Sequence, residues 1–471
     1  MQVSVALRAR AKLALLLNSL LHAACQGNDQ ERIDPRNLRT FRQLLLALLA
    51  KRSTRLLMLA QAILSQRRAA SVKAVAMGLG YFLEKAKLPM RPFATALLEA
   101  ALRRFALERL AWYRGKVLLV IDPTDSAKRS RGRGKRGRQM QYIGRVCRSK
   151  AKAAGKRKGK CAKVPTLKAA KGKASKRAAE VATTFGYVDI WAGLVLKAKQ
   201  FLPLVRCLFS SNHLQRKSQN QVEEAVLAEA LGLLQSVGLV AMVVGDRGLG
   251  RKEMIIALAR QGQDLVFRID ADILVRAAGI DGEAPLEAVL AGQPWFGEVE
   301  WDRGKEGKRR CRARAVRGTI RFRRSGRKDD YVEATRTFLQ LVPIEGDEEP
   351  LVVATTLPLA TLADAKGVAG VYAQRWAVES AFETMHAWGQ ERFMVRSWEA
   401  IDRLLWMVAL AYALVVLALQ DGKLVAFRKQ AVAVLRRLSV LGRSLTVGKL
   451  AEAISLDFGK HQAAWASVWF G

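Results

Sequence analysis

The sequence predicts an α/β fold in which helices cover a sheet that contains parallel strands. Two short apolar runs without a helical period, KVLLVID and GLVAMVVGD, each end in an acidic residue, Asp122 and Asp246. A helical pattern starts at about Lys252, and another strand-like run, DLVFRI, follows it. Apolar runs that alternate with helices in this way are typical of parallel strands joined by crossover helices.

Size and charge narrow the class of protein. The chain has 471 residues and half of them are hydrophobic, so it can bury a large core and is not wholly disordered. Its 80 Lys and Arg residues against 41 Asp and Glu residues give a net charge of +39. Such a charge favours a polyanionic partner, with nucleic acid ahead of a membrane surface. Five Cys residues without a C-x-x-C pair argue against a disulfide framework or zinc ribbon and favour a reducing cytoplasm.

Two apolar segments resemble membrane signals. The first 25 residues have basic residues before an apolar run, as a signal peptide has, but Asn18 interrupts that run and favours an amphipathic helix. The second run, Leu404 to Leu419, is shorter than the ~20 residues that a membrane span needs. We therefore predict a buried core helix there and no contact with a membrane.

Changes of pattern divide the chain into five regions. Spacings of three and four between apolar residues predict a helical N-terminal region, in which a candidate pair of helices around a turn fits a small DNA-binding unit. The alternation of apolar and Arg residues predicts the β-rich insertion. The regions are 1–112, helical and DNA-binding; 113–270, the first part of the core; 271–349, the β-rich insertion; 350–420, the second part of the core; and 421–471, a helical C-terminal region.

A basic loop interrupts the first part of the core. Residues 127–177 contain 21 Lys or Arg residues and no acidic residue, a composition too charged to pack. We predict an arm that contacts DNA phosphates, and a solvated loop without a specific role is the alternative. The cations assigned to DNA binding are Lys128, Arg129, Arg131, Arg133, Lys135, Arg136 and Arg138.

Asp122 and Asp246 are the first candidate site residues. Each lies at the end of an apolar run, so both can converge beside the sheet. Carboxylates suit Mg²⁺, which takes one or two of them together with water and substrate phosphate. Two such ions about 4 Å apart can activate water and stabilise the leaving oxygen of a phosphodiester. The four His residues lie in no recognisable nucleophile context, which argues against Ser or Cys triads.

A third carboxylate is expected on the segment YAQRWAVESAFETMH. One long helix is predicted from about Ala360 to Gly389, and at ~100° per residue it presents Tyr372, Arg375, Glu379 and His386 on one face. A surface stripe with a helix-stabilising Arg–Glu pair is the alternative.

Three blocks, VIDPTD, VVGDRG and YAQRWAVESAFETMH, resemble the catalytic blocks of DDE transposases of bacterial insertion sequences. The branch is insertion sequence family 4, with the signature Y-x-x-R-x-x-x-E-x-x-x-x-x-x-K. Tyr372, Arg375 and Glu379 match this signature at the right spacing, and His386 stands in place of its Lys. The resemblance covers about 116–420 and implies a ribonuclease-H-like core.

The resemblance also implies an activity and a site. The activity is magnesium-dependent cut-and-paste transposition, with end cleavage by hydrolysis, a hairpin, and strand transfer into target DNA. Asp122, Asp246 and Glu379 are expected to bind two Mg²⁺ ions, for which Mn²⁺ can substitute. Tyr372 and Arg375 are expected to contact DNA phosphates.

Further DNA contacts are expected from residues outside the carboxylate set. Trp295 and Trp301 in the β-rich insertion are candidate platforms for a base that leaves the stack, and ordinary core packing is the alternative. His386 is expected to contact phosphate more weakly than Lys, because a neutral imidazole lacks the ammonium charge. Arg392 or Arg396 is a candidate substitute.

The expected partners are double-stranded DNA, as inverted-repeat ends and as target, and a second copy of the chain in a synaptic homodimer. The expected location is the bacterial cytoplasm, at the nucleoid. Two alternatives stay open: a ribonuclease-H-like nuclease without strand transfer, and a non-catalytic basic protein that coats DNA.

Overall fold

The computed structural model describes residues 15, 18–20, 22, 34–64, 71–104, 107–128, 140–147, 183–197, 199–213, 218–323, 331–346, 348–420, 424–437, 445–462 and 465. Most of the signal-like N-terminal segment lies outside these residues. Arg129 to Arg138 and most of the basic loop also lie outside them.

One sheet of 13 strands runs through the described part of the chain. The strands are β1 (Trp112–Tyr113), β2 (Lys116–Lys128), β3 (Gly144–Cys147), β4 (Thr183–Leu196), β5 (Gln200–Phe209), β6 (Ala241–Gly245), β7 (Asp264–Arg268), β8 (Leu274–Ala277), β9 (Ala284–Pro285), β10 (Gly297–Asp302), β11 (Lys308–Arg323), β12 (Tyr331–Pro343) and β13 (Leu351–Thr355). Their order is β3-β4-β2-β6-β7-β13-β12-β11-β8-β9, and β1, β5 and β10 pair with β2, β4 and β11.

The centre of the sheet is parallel and the rest is antiparallel. β2, β6 and β7 pair in parallel, and all other pairs described are antiparallel. Every residue of β6 is buried, which explains why its sequence is continuously apolar. The predicted mixed α/β fold is confirmed, with a sheet that is mostly antiparallel.

Strand β2 is longer than the sequence predicted. It was expected to end at Asp122 but continues to Lys128, because its second half pairs with β4. Pro123 is tolerated inside the strand because the pairing with β6 stops at Ile121, which leaves that side of β2 open for a residue without an N–H. β5, which contains Pro203 and pairs with β4, was not predicted.

The predicted β-rich insertion continues the core sheet. β11 and β12 form a long antiparallel hairpin, and β12 also pairs with β13 from Thr337↔Thr355 to Leu341↔Leu351. β13 in turn pairs with β7. The hairpin therefore extends the sheet that carries the candidate site.

Helices pack on the sheet and against one another. They are α1 (Pro35–Lys51), α2 (Leu56–Leu64), α3 (Val72–Lys85), α4 (Met90–Arg104), α5 (Gln219–Ser236), α6 (Lys252–Arg260), α7 (Leu286–Ala291), α8 (Leu362–Ala373), α9 (Trp376–Ala387), α10 (Trp398–Gln420), α11 (Val425–Arg437) and α12 (Val447–Lys460). α10 packs against β5, α1, α3, α4 and α12. It is long and apolar enough to span a membrane, but 89% of its most apolar window is buried inside the protein, as predicted for a core helix.

The prediction of a single helix from Ala360 to Gly389 is wrong. The segment forms α8 and α9, separated by a tightened turn at Gln374 and Arg375. Across the turn, amides bond to carbonyls three residues back: Gln374 to Val371 at 3.1 Å and Arg375 to Tyr372 at 3.0 Å. Such 3₁₀ geometry inside a helix often marks a functional position. The turn contains neither Gly nor Pro, so the sequence gives no local signal that the helix ends there.

A buried ionic cluster joins the sheet to the C-terminal half of the chain. Arg206 on β5, with no exposed side-chain surface, bonds to Asp189 on β4 and to Asp402 on α10, at 2.8 Å and 2.9 Å. Gln390, which follows α9, donates to the second oxygen of Asp189 at 3.1 Å. The cluster fixes the end of α9 and the start of α10 against the sheet, because each buried charge needs its partner.

Candidate active site

Three carboxylates from separate segments meet around one arginine. Ile121 and Gly245 are paired neighbours in the parallel part of the sheet, so Asp122 and Asp246 emerge side by side. Arg375 in the turn before α9 donates to Asp122 at 3.2 Å and to Glu379 at 2.7 Å, and its guanidinium lies 4.0 Å from Asp246. The predicted convergence of Asp122, Asp246 and Glu379 is therefore present.

Tyr372 completes this group from the last turn of α8. Its hydroxyl donates to Asp246 at 3.0 Å, and the Arg375 guanidinium lies 5.9 Å from the centre of its ring. α8 starts with a capping box in which Thr361 and Asp364 bond to each other's amides. The cap fixes the start of the helix that carries Tyr372 to the carboxylates.

Burial and neighbouring charges shift the pKa values of the three carboxylates in different directions. Burial raises the pKa of Asp122 to about 7, with Asp246 and Glu379 adding to the effect and Arg375 opposing it. Burial also raises the pKa of Glu379. For Asp246 burial is outweighed by Arg375, by the amide of Arg247 and by Arg268, so its pKa is lowered. Near pH 7 Asp122 is therefore partly protonated, whereas Asp246 keeps its negative charge.

The donor set suits a hard divalent cation. In the described part of the chain, no three His, Cys, Asp or Glu side chains are arranged to hold a metal ion directly. Asp122, Asp246 and Glu379 instead share the guanidinium of Arg375, whose side chain is 6% exposed. Three carboxylates against one cation leave an excess of negative charge, and their oxygens are the ligands that Mg²⁺ prefers. The three carboxylates therefore fit a magnesium site in their chemistry, and in this structure the Arg375 guanidinium lies between them.

A small cavity of about 150 Å³ opens beside Glu379. Its lining joins α9 to the turn between β10 and β11: Lys199, Gly304, Lys305, Trp376, Glu379, Ser380 and Glu383. A Cβ at Gly304 would lie 2.9 Å from the Trp376 ring, so the indole packs directly on that backbone. Sequence reasoning missed Trp376, although it directly follows Arg375 in the signature segment.

The other predicted DNA contacts lie outside the carboxylate group. Trp301 on β10 is 6% exposed beneath Arg303, whereas Trp295 is 43% exposed with Arg314 stacked 4.4 Å from its ring centre. His386 lies two turns beyond Glu379 on α9, with its Nδ1 3.6 Å from Glu391. Arg392 and Arg396 are exposed. Lys128 ends β2, and the remaining predicted cations of the basic loop lie outside the described residues.

The comparison with protein families agrees with this geometry. Residues 211–414 match the family model described as "Transposase DDE domain". The matched segment contains Asp246, Tyr372, Arg375 and Glu379, and it begins after Asp122. No curated protein matches the chain significantly. Over the matched residues the chain is similar to the DDE domain of transposases, and this similarity supports a transposase function for it.

Proposed function

We propose that the protein is a transposase of the insertion sequence family 4 branch that moves DNA by a cut-and-paste reaction. It hydrolyses DNA at the element ends, and the freed 3′-hydroxyl attacks the opposite strand, which closes a hairpin and releases the flanking DNA. Water then opens the hairpin and regenerates the 3′-hydroxyl, which attacks target DNA and joins the end to it. The observation that carries the proposal is the meeting of Asp122, Asp246 and Glu379 around Arg375 and Tyr372.

The roles of the residues follow from their contacts. Asp122, Asp246 and Glu379 would hold Mg²⁺ or Mn²⁺, which when bound polarises the phosphodiester and activates water. The Tyr372 hydroxyl orients the Asp246 carboxylate, to which it donates at 3.0 Å. Arg375 balances the three carboxylates before DNA binds and supplies a planar fork that suits a DNA phosphate.

The presence of a cavity beside Glu379 supports the proposal that the reaction includes a hairpin step. Closing a hairpin requires a base to leave the stack, and the exposed base is stabilised by an aromatic surface. Trp376 lines the cavity together with Glu379, so it is a candidate platform in addition to the exposed Trp295. Trp301 is buried in the core, which favours the alternative of ordinary core packing for that residue.

The partners in this proposal are two element ends and a target duplex, held by a homodimer in the bacterial cytoplasm. The net charge of +39 supports binding along the DNA backbone. α1 to α4 form the helical region proposed to bind the element ends.

The proposal is tested with a DNA fragment in which the sequences flanking the reading frame bracket a marker. Purified protein and Mg²⁺ should release this fragment and join it to a second plasmid, because the 3′-hydroxyl freed by hydrolysis attacks new DNA. Cleavage without joined products would instead identify a nuclease, and binding without cleavage would identify a DNA-coating protein. Sequencing of the junctions provides the readout.

Deletion of residues 148–177, which leaves β3 intact, should flatten the salt dependence of DNA binding by several units of log K against log salt. Each phosphate contact contributes about 0.9 to that slope, and the deleted segment carries 13 Lys or Arg residues. Fluorescence anisotropy with specific and random duplexes measures the effect, which should be equal for both. An unchanged slope would show that the segment does not contact DNA, and a selective loss for the specific duplex would show that it reads bases.

A further inference from the structure

A second groove, with a volume of about 520 Å³, lies at the end of β13. Pairing between β12 and β13 stops at Thr337↔Thr355, whereas pairing between β12 and β11 continues to Tyr331↔Arg323. In the described part of the chain, no other strand pairs with residues 331–336 on this side. The groove forms between this open edge and the segment 356–360 that leaves β13.

The groove is lined by cations and hydroxyl groups. Arg317, Thr337 and Thr355 are direct neighbours across three strands, so their side chains share one face of the sheet. Thr335 lies on the same face, whereas Arg336 extends to the opposite face and borders the groove at the open edge of β12. Thr356 completes the polar lining, and none of the described lining residues is acidic. Arginine and threonine side chains are common donors to phosphate oxygens.

These two arginines differ from several cations of the same hairpin that have ion-pair partners. Lys308 is paired with Glu300 and Arg310 with Glu298, and Arg321 lies near Glu333. Among the described residues, no carboxylate lies within ion-pair distance of Arg317 or Arg336. The positive charge in the groove is therefore not neutralised by a neighbouring side chain.

Arg336 in particular has no ion-pair partner among the described residues. It is half-buried, its Nε is inaccessible and makes no hydrogen bond, and one terminal nitrogen donates to the Thr335 carbonyl at 2.6 Å. Burial lowers its pKa, and Asp264, the carboxylate that acts on it, is itself paired with Lys116. A partly desolvated guanidinium gains most from an anion that completes its fork.

We propose that this groove binds a phosphate of the DNA backbone, at a site separate from the carboxylate group. In the sheet register, Arg336 lies three strands away from Asp246 and is offset by three residues along the strand. With the usual spacing between strands and the usual rise per residue, the two residues are roughly 17 Å apart. That separation is about half a turn of a DNA duplex, so one duplex can reach both places. We expect the contact to be independent of sequence, because every base pair presents the same backbone phosphates.

The inference rests on the proposed function in taking DNA as the ligand, but its test measures binding alone. The full-length double variant Arg317→Ser/Arg336→Ser is compared with Lys308→Ser/Arg310→Ser, which removes the same charge from paired cations of the same hairpin. Anisotropy with a random duplex over a salt series should give a slope flatter by about 1 to 2 units for the groove variant. The control variant should change the slope by less than half as much, and Arg317→Lys/Arg336→Lys should largely restore it.

Equal slopes for the two Ser variants would overturn the proposal, because overall charge would then explain the binding. Stabilisation of the wild-type protein by inorganic phosphate, lost in the groove variant while its duplex slope is unchanged, would also overturn it and identify a free-phosphate site. Melting curves establish that each variant folds. Cleavage assays on the same preparations keep the two proposals apart, since a wild-type protein that binds with the expected slope but never cuts rejects only the proposed function.

Discussion

Replacing Asp122 with Asn, Asp246 with Asn or Glu379 with Gln should each lower magnesium-dependent DNA cleavage by about 10³-fold or more. The estimate follows because a bound metal ion supplies several kcal/mol of charge stabilisation in the transition state. Affinity for DNA should change little, since cationic contacts to phosphate dominate binding. Gel-shift and cleavage assays on the same preparations measure both quantities.

The matched control for these variants is Glu399→Gln, which removes an exposed carboxylate at the start of α10, outside the carboxylate group and the cavity beside Glu379. It should retain most cleavage. Asp122→Asn should also melt no lower than the wild-type protein above pH 7, because burial raises the pKa of Asp122 to about 7 and its charged form costs folding free energy there. Full cleavage by any one of the carboxylate variants would remove that residue from the site.

Arg375→Ala should destabilise the metal-free protein by roughly 1–3 kcal/mol, because the largely buried Asp122 and the partly exposed Asp246 and Glu379 lose their shared cation. Mg²⁺ should restore part of the lost melting temperature, since the ion replaces the missing positive charge. We also expect hairpin closure to slow far more than first-strand nicking, because Arg375 is the proposed contact to the phosphate at the bend. Thermal melts with EDTA or Mg²⁺ and denaturing gels of end-labelled duplex give the two readouts.

Arg375→Lys is the matched control, because it keeps the charge and removes the planar fork. It should be nearly as stable as the wild-type protein and still slow in closing the hairpin. Melting curves of Arg375→Ala that do not respond to Mg²⁺ would argue against ion binding by the three carboxylates. Nicked ends that break to linear DNA without a doubled-length strand would show that the second strand is cut by another route.

The sequence was sufficient to predict that Asp122 and Asp246 meet. Each follows an apolar run, and parallel strands bring their ends to the same edge of a sheet. The sequence did not predict that β2 continues past Asp122, because that half of the strand depends on pairing with β4, which lies far along the chain.

Features near Glu379 were harder to predict because they depend on tertiary contacts. The turn at Gln374 and Arg375 contains no residue that breaks helices, and Arg375 bonds there to Asp122 from another segment. Trp376 faces Gly304, which comes from a distant hairpin turn. A helical wheel describes one helix in isolation and cannot include such partners.

The buried cluster around Arg206 has a consequence for shortened copies of the gene. A chain that stops before Gln390 keeps Arg206 and Asp189 but lacks both Asp402 and the apolar α10 that covers them. An uncovered core and a half-satisfied ionic network both favour the unfolded chain. Copies truncated at their 3′ end should therefore be degraded rather than accumulate as folded proteins that occupy element ends and block the intact enzyme.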